Sequence, residues 1–126
     1  MQYHLFVCRH SEAQVPRYSM PDYDRPLSET GRREAELAGQ WLRENQYKVD
    51  VILCSGSNRT LSTARIIANE INHNQESIIA FDELYNASAN GLLRMIESLE
   101  NNYQRALIVG HNPGVSELIG LLTGRD

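Results

Sequence analysis

Two cysteines, Cys8 and Cys54, in 126 residues are too few for a disulfide framework, and each closes an apolar run where a buried thiol is common. A reduced, cytoplasmic protein is the expectation. Positive charge is scarce as well: 12 lysines and arginines against 16 acids leave a net charge of −4, with no basic stripe. That balance excludes a dedicated nucleic-acid binder, so any anion site must be local. The apolar runs are all short, well below the roughly 20 residues of a membrane span. The opening stretch reaches Arg9 and His10 too soon for a signal peptide and has no basic leader segment. No membrane partner is expected, and neither an internal repeat nor a low-complexity tract is present.

What remains is an ordinary globular composition, 41% hydrophobic and 22% charged, in a length that suits one domain over residues 1–126. Four apolar runs recur: Leu5 to Cys8 within Tyr3–Cys8, Val51 to Cys54, Ile78 to Phe81, and Ala106 to Val109. They are partly β-branched and apolar on both faces, which predicts buried parallel strands. Helical spacing appears between and after them, in Ala35, Ala38, Trp41 and Leu42, in Leu61, Ala64, Ala68 and Ile71, in Leu92, Ile96, Leu99 and Tyr103, and in Val115, Leu118, Ile119 and Leu122. The alternation predicts a single-domain layered α/β/α fold with a mainly parallel central sheet. Trp41 is expected in the core.

Ser28 is placed to cap the first helix, Asn58 the second, and Asn112 the fourth, with Pro113 at its first helical position. The polar segment Ser11 to Leu27, with Pro16, Pro21 and Pro26, is expected to be irregular and to form a wall or lid over the strand ends.

Two histidines stand where strands end. Arg9-His10 follows the first run, and His111 follows the fourth through Gly110. If the strands are parallel, both imidazoles emerge at the carboxyl edge of the sheet, where α/β folds hold their ligands. Arg59 lies in the first turn of the helix after Val51–Cys54, where free backbone N–H groups and a guanidinium can hold a phosphate. Two arginines and two histidines thus converge on a pocket suited to a tetrahedral dianion.

On these residues the chain resembles the histidine phosphatases, the phosphoglycerate mutase-like superfamily, and in particular the short SixA-type phosphohistidine phosphatases. Arg9-His10-Ser11 is similar to the family's Arg-His-Gly signature, with serine replacing glycine. Asp24 to Ala35, Ser55 to Ala64 with Arg59 and Thr63, and Gly110-His111-Asn112-Pro113-Gly114 resemble three further blocks in order. The sequence given ends at Asp126, and relatives are expected to run on by roughly a strand and a helix.

The resemblance implies that His10 is the nucleophile and that Arg9, Arg59 and His111 are catalytic groups holding the phosphoryl oxygens, with Ser11 and Asn112 as further phosphate contacts. Glu83 and Asp82 are the candidate general acids. Glu12 and Asp24 are weaker candidates beside the irregular segment. No cofactor and no metal are implied. The substrate expected is a phosphohistidine on a protein such as a phosphotransfer domain or phosphocarrier, with inorganic phosphate as product, because a protonated imidazole leaves readily. Three alternatives stay open: a small-molecule phosphatase or mutase, a non-catalytic phosphate-binding module, and a zinc site of His10, His111, Cys8 and Cys54, whose spacing is poor for a structural site.

Overall fold

The structure is a computed structural model that describes residues 4–99 and 103–124; Tyr3 and Asp126 lie outside them. Four parallel strands, β1 (His4–Arg9), β2 (Val51–Cys54), β3 (Ile78–Ala80) and β4 (Arg105–Gly110), form one sheet in the order β1-β4-β2-β3. β4 joins β1 in a register from His4 opposite Arg105 to Arg9 opposite Gly110, and β2 from Val51 opposite Ala106 to Cys54 opposite Val109.

Four helices cover the sheet: α1 (Glu29–Glu44), α2 (Asn58–Glu70), α3 (Ala89–Glu97) and α4 (Gly114–Thr123). α1 packs on α2, and α3 on α4. Because side chains alternate across a strand, Ile52, Cys54, Leu107 and Val109 enter a core cluster with Leu42, Ala64 and Ile67, while Val51, Leu53, Ala106 and Ile108 enter the other with Leu92, Val115 and Leu118. Each fully buried aliphatic side chain contributes about 1.5–3 kcal/mol. The layered α/β/α expectation holds.

Several local expectations change. β1 and β3 are only half covered because they are the sheet edges, and β3 stops at Ala80, with Phe81 N–H still bonded to Cys54 O at 2.9 Å. Ser28 does cap α1, accepting from Gly31 N–H at 3.0 Å. For α2 the cap position is Ser57, and Asn58 instead donates from Nδ2 to Asp24 O at 3.0 Å. In α4 Pro113 occupies the cap position after a cis Asn112–Pro113 bond, while Asn112 Oδ1 accepts from Ser116 N–H at 3.1 Å. α3 ends before Leu99 and Tyr103, so its apolar spacing outruns the helix.

Trp41 is 54% exposed, not core, because the buried stripe of α1 runs through Gly31, Ala35, Gly39 and Leu42 and leaves it on the flank against Tyr47. Ile119 and Leu122 are likewise exposed on α4.

The irregular segment is fastened at its neck. Ser28 N–H bonds to Glu12 O at 3.0 Å, Gln14 N–H to Pro26 O at 2.9 Å, and Ala13 bridges Leu27. Gly31 is required here, since a Cβ on it would lie 1.9 Å from Glu12 O. Between these fastenings Asp22–Asp24 form a short 3-10 turn.

Candidate active site

The three strands whose ends carry Arg9-His10, Ser55 and His111 are contiguous in the sheet, β4 lying between β1 and β2. Parallel pairing then brings all these ends to one edge. His10 N–H extends the ladder to Gly110 O at 3.0 Å, and the rings of His10 and His111 stand 5.2 Å apart between centroids.

His10 Nδ1 lies 2.7 Å from Ser11 O. A carbonyl only accepts, so Nδ1 carries the proton and Nε2 keeps its lone pair. Burial lowers the proton affinity of this imidazole, and Arg59, Arg9 and Arg25 lower it further, against the Ser11 contact. The ring is therefore neutral near pH 7. Ser11 is itself locked in place: its N–H donates to Thr63 Oγ1 at 3.1 Å, and the Thr63 hydroxyl donates to Arg59 O at 2.7 Å. The residue after His10 is thus tied to α2.

His111 is buried, 4% exposed, with Nε2 3.0 Å from Ser55 Oγ. Ser55 Oγ also meets Thr60 Oγ1 and Ser57 Oγ, so a buried hydroxyl cluster fixes the ring. Burial, then Arg59 and His10, push its pKa down to about 4, with Asp22 opposing. Gly110 lets α4 approach, because a Cβ there would come within 2.8 Å of Val115 Cγ2.

Arg59 is 4% exposed. Its Nη1 donates to Asp22 O at 2.7 Å and its Nη2 to Asp22 Oδ2 at 2.8 Å. Tyr85 closes this end: its hydroxyl donates to the same Oδ2, its ring centroid lies 5.8 Å from Arg59 Cζ, and its ring stands nearly perpendicular to that of His111 with 5.3 Å between centroids. Arg25 bonds Asp22 Oδ1 through Nη2 at 3.0 Å. The Nε–H groups of Arg25 and Arg59 are buried without a partner among the described residues.

Arg9 is exposed at the end of β1, with no side-chain hydrogen bond among the described residues, yet close enough to weaken the proton affinity of His10. Ser11 enters the site through its backbone. Asn112 spends its carboxamide oxygen on Ser116, with Nδ2 left as a donor. Of the two candidate acids, Asp82 accepts from the Tyr23 hydroxyl at 2.8 Å, and Glu83 is exposed with no side-chain hydrogen bond among the described residues. Glu12 accepts from Ser28 Oγ at 3.0 Å. Cys8 and Cys54 turn into the α1/α2 core, where burial raises both thiols to about 11, and no metal-holding group of His, Cys, Asp or Glu occurs among the described residues. The zinc reading has no support in this geometry.

Asp22, Arg25, Ser55 and Tyr85 join the site without having been singled out for it. Arg25 and Ser55 lay inside the recognisable blocks, and Tyr85 lies two residues past Glu83. Asp22 gave no signal beyond lying in the polar wall. Cavities of about 570 and 530 Å³ lie elsewhere, around Tyr47 and Lys48, and hold none of these groups. Convergent chemistry locates the site better than volume does.

The chain belongs to the histidine phosphatase superfamily, whose branch 1 matches residues 5–114. A phosphatase is the activity that this family and its neighbours support. An uncharacterized protein of Mycobacterium tuberculosis is 34% identical over 121 residues, covering 94% of this chain and 73% of that one. A SixA phosphohistidine phosphatase homolog of Haemophilus influenzae is 30% identical over 134 residues, covering 96% and 77%. The crystal structure of a candidate phosphohistidine phosphatase SixA from Agrobacterium tumefaciens superposes with a TM-score of 0.91 at 28% identity, over 98% of this chain and 79% of that one. The sheet and its helices are phosphoglycerate mutase-like. No helix among the described residues is long and apolar enough to cross a membrane.

Proposed function

We propose that this phosphatase removes the phosphoryl group from a phosphohistidine on a protein, such as a phosphotransfer domain or phosphocarrier, through a covalent intermediate on His10. The observation that carries the reading is the His10 Nδ1 contact to Ser11 O at 2.7 Å, which leaves Nε2 as an aimed, unprotonated nucleophile. Nε2 attacks phosphorus as the bond to the leaving group breaks. His10 becomes a phosphoimidazolium, and water then displaces it, releasing inorganic phosphate and restoring the neutral ring.

Arg9, Arg59 and His111 hold the phosphoryl oxygens, since this chemistry depends mainly on positioning and electrostatics. His111 takes up a proton as the dianion binds, because a neighbouring anion raises its pKa. The backbone around Ser11 and the Nδ2 of Asn112 add donors. Asp82 and Glu83 make no hydrogen bond to either imidazole, which suits a leaving group that needs little acid help. No metal or cofactor enters these steps, and the site of action is the cytoplasm.

A protein carrying radiolabelled phosphohistidine tests the reading. The parent chain is expected to release phosphate and to trap acid-labile label on itself, with inhibition by inorganic phosphate, vanadate or tungstate. Label that never becomes acid-labile on the chain would favour a binding module, and faster turnover of sugar phosphates than of a phosphohistidine peptide would favour a small-molecule phosphatase.

A further inference from the structure

Asp22 is an unusual neighbour for a phosphate site. Its carboxylate takes Arg59 Nη2 at 2.8 Å, Arg25 Nη2 at 3.0 Å and the Tyr85 hydroxyl, three donors that an anionic ligand would otherwise use. It is held there by choice of sequence rather than by burial, since its side chain is 50% exposed. A fixed negative charge at this point weakens the attraction of Arg59 and Arg25 for a dianion. For a phosphomonoester, whose leaving oxygen brings no positive charge, nothing offsets that loss.

A phosphohistidine differs. When the ring nitrogen remote from phosphorus is protonated, the substrate carries a cationic N–H on the side opposite its phosphoryl oxygens. The rings of the site run from His10 to His111 at 5.2 Å and on to Tyr85 at 5.3 Å, with Asp22 beyond the Tyr85 hydroxyl. The carboxylate thus adjoins the His111 end of the site, to which Tyr85 joins it, and a leaving group departs away from its attacker. A guanidinium carries five N–H donors, and Asp22 occupies two of those of Arg59 and one of those of Arg25 while it keeps its own contacts.

Resting on the phosphohistidine reading above, we propose that Asp22 is the specificity residue of this site, accepting the N–H of the substrate's protonated imidazole and selecting a cationic leaving group. The step balances without a proton donor at the breaking bond. Nε2 of His10 bonds to phosphorus, the substrate P–N bond breaks, and its electron pair returns to the ring, which leaves as neutral imidazole with its remote N–H intact. Asp22 favours the protonated substrate from which this departure is easy. It stays a carboxylate throughout, held well down in pKa by the Tyr85 and Arg59 hydrogen bonds.

Asp22→Asn removes the charge and keeps the shape. The test compares kcat/KM for a phosphohistidine peptide with kcat/KM for 4-nitrophenyl phosphate, in the parent and in this variant. The ratio is expected to fall about tenfold or more, the size of a lost charge-assisted hydrogen bond. An unchanged ratio, whether both rates drop together or neither moves, would overturn the proposal and leave Asp22 as a positioning residue for Arg59. If the parent hydrolyses the aryl phosphate but not the phosphohistidine peptide, the substrate reading itself fails, and the Asp22 proposal fails with it. The parent measurement separates that failure from one confined to Asp22.

Discussion

His10 and His111 begin from equivalent positions, each one residue past a partner in the β1–β4 ladder, yet the fold treats them differently. His10 is half-buried and is oriented by the carbonyl of its own neighbour, so one ring nitrogen is left free for chemistry. His111 is buried and is held by a hydroxyl from the third strand end, with burial and two neighbouring cationic or titratable groups suppressing its charge to a pKa of about 4. One imidazole is made accessible; the other is made responsive to the charge of whatever binds. Equivalent residues in equivalent strand positions are set apart by their burial and by the side-chain hydrogen bond each one makes.

Substituting each histidine is the sharpest way to break this comparison. His10→Ala should remove turnover by several orders of magnitude and abolish acid-labile label, because the reaction path goes with the nucleophile. His111→Ala should still take up label, slowly. Equal labelling of the two variants would erase the distinction. Next in size, Arg59→Ala should weaken both phosphate affinity and rate, by about 2–4 kcal/mol in transition-state terms. Calorimetry with phosphate alongside steady-state kinetics checks this, and an affinity unchanged from the parent would take Arg59 out of the phosphate contacts.

The pH dependence of stability separates the rings without any substrate. Both pKa values are lower in the folded chain than in the unfolded one, so between pH 6.5 and about 4 the unfolded state binds more protons. Stability is then present above pH 6.5 and falls with acidification, and the His111 share is about 3 kcal/mol once pH passes its folded value. Urea midpoints from pH 7 to 4 should flatten more in His111→Gln than in His10→Gln; a full slope in His111→Gln would refute the assignment. The smallest effect belongs to Ser55→Ala, which should cost about 1 kcal/mol and weaken phosphate binding by loosening His111, while labelling of His10 continues. Loss of labelling would show that the two rings are not independently held.

The fold was legible because runs such as Val51–Cys54 are too apolar for anything but a strand covered on both faces, and helical spacing separates them. Strand order was not, since no local signal says that β4 inserts between β1 and β2. For the same reason β1 read as buried although it is an edge. His10, Arg59 and His111 could be found because each sits within a few residues of a strand end, where chain direction alone decides location. Asp22 and Tyr85 could not. They meet across 63 positions through a tertiary hydrogen bond, and a proline-punctuated segment offers no periodicity from which to infer its path. Trp41 misled because spacing marks a helix face without saying how wide the covered face is.

The fastening of Glu12 and Gln14 to Ser28 and Pro26 makes the chain between them a stirrup whose bow is itself strapped down, by Arg59 on Asp22 and by Asn58 on Asp24. Its bow carries Asp22 and Arg25. A change in the bow would therefore be felt first at Arg59, through Asp22, while the bonds at the neck keep the start of α1 where it is.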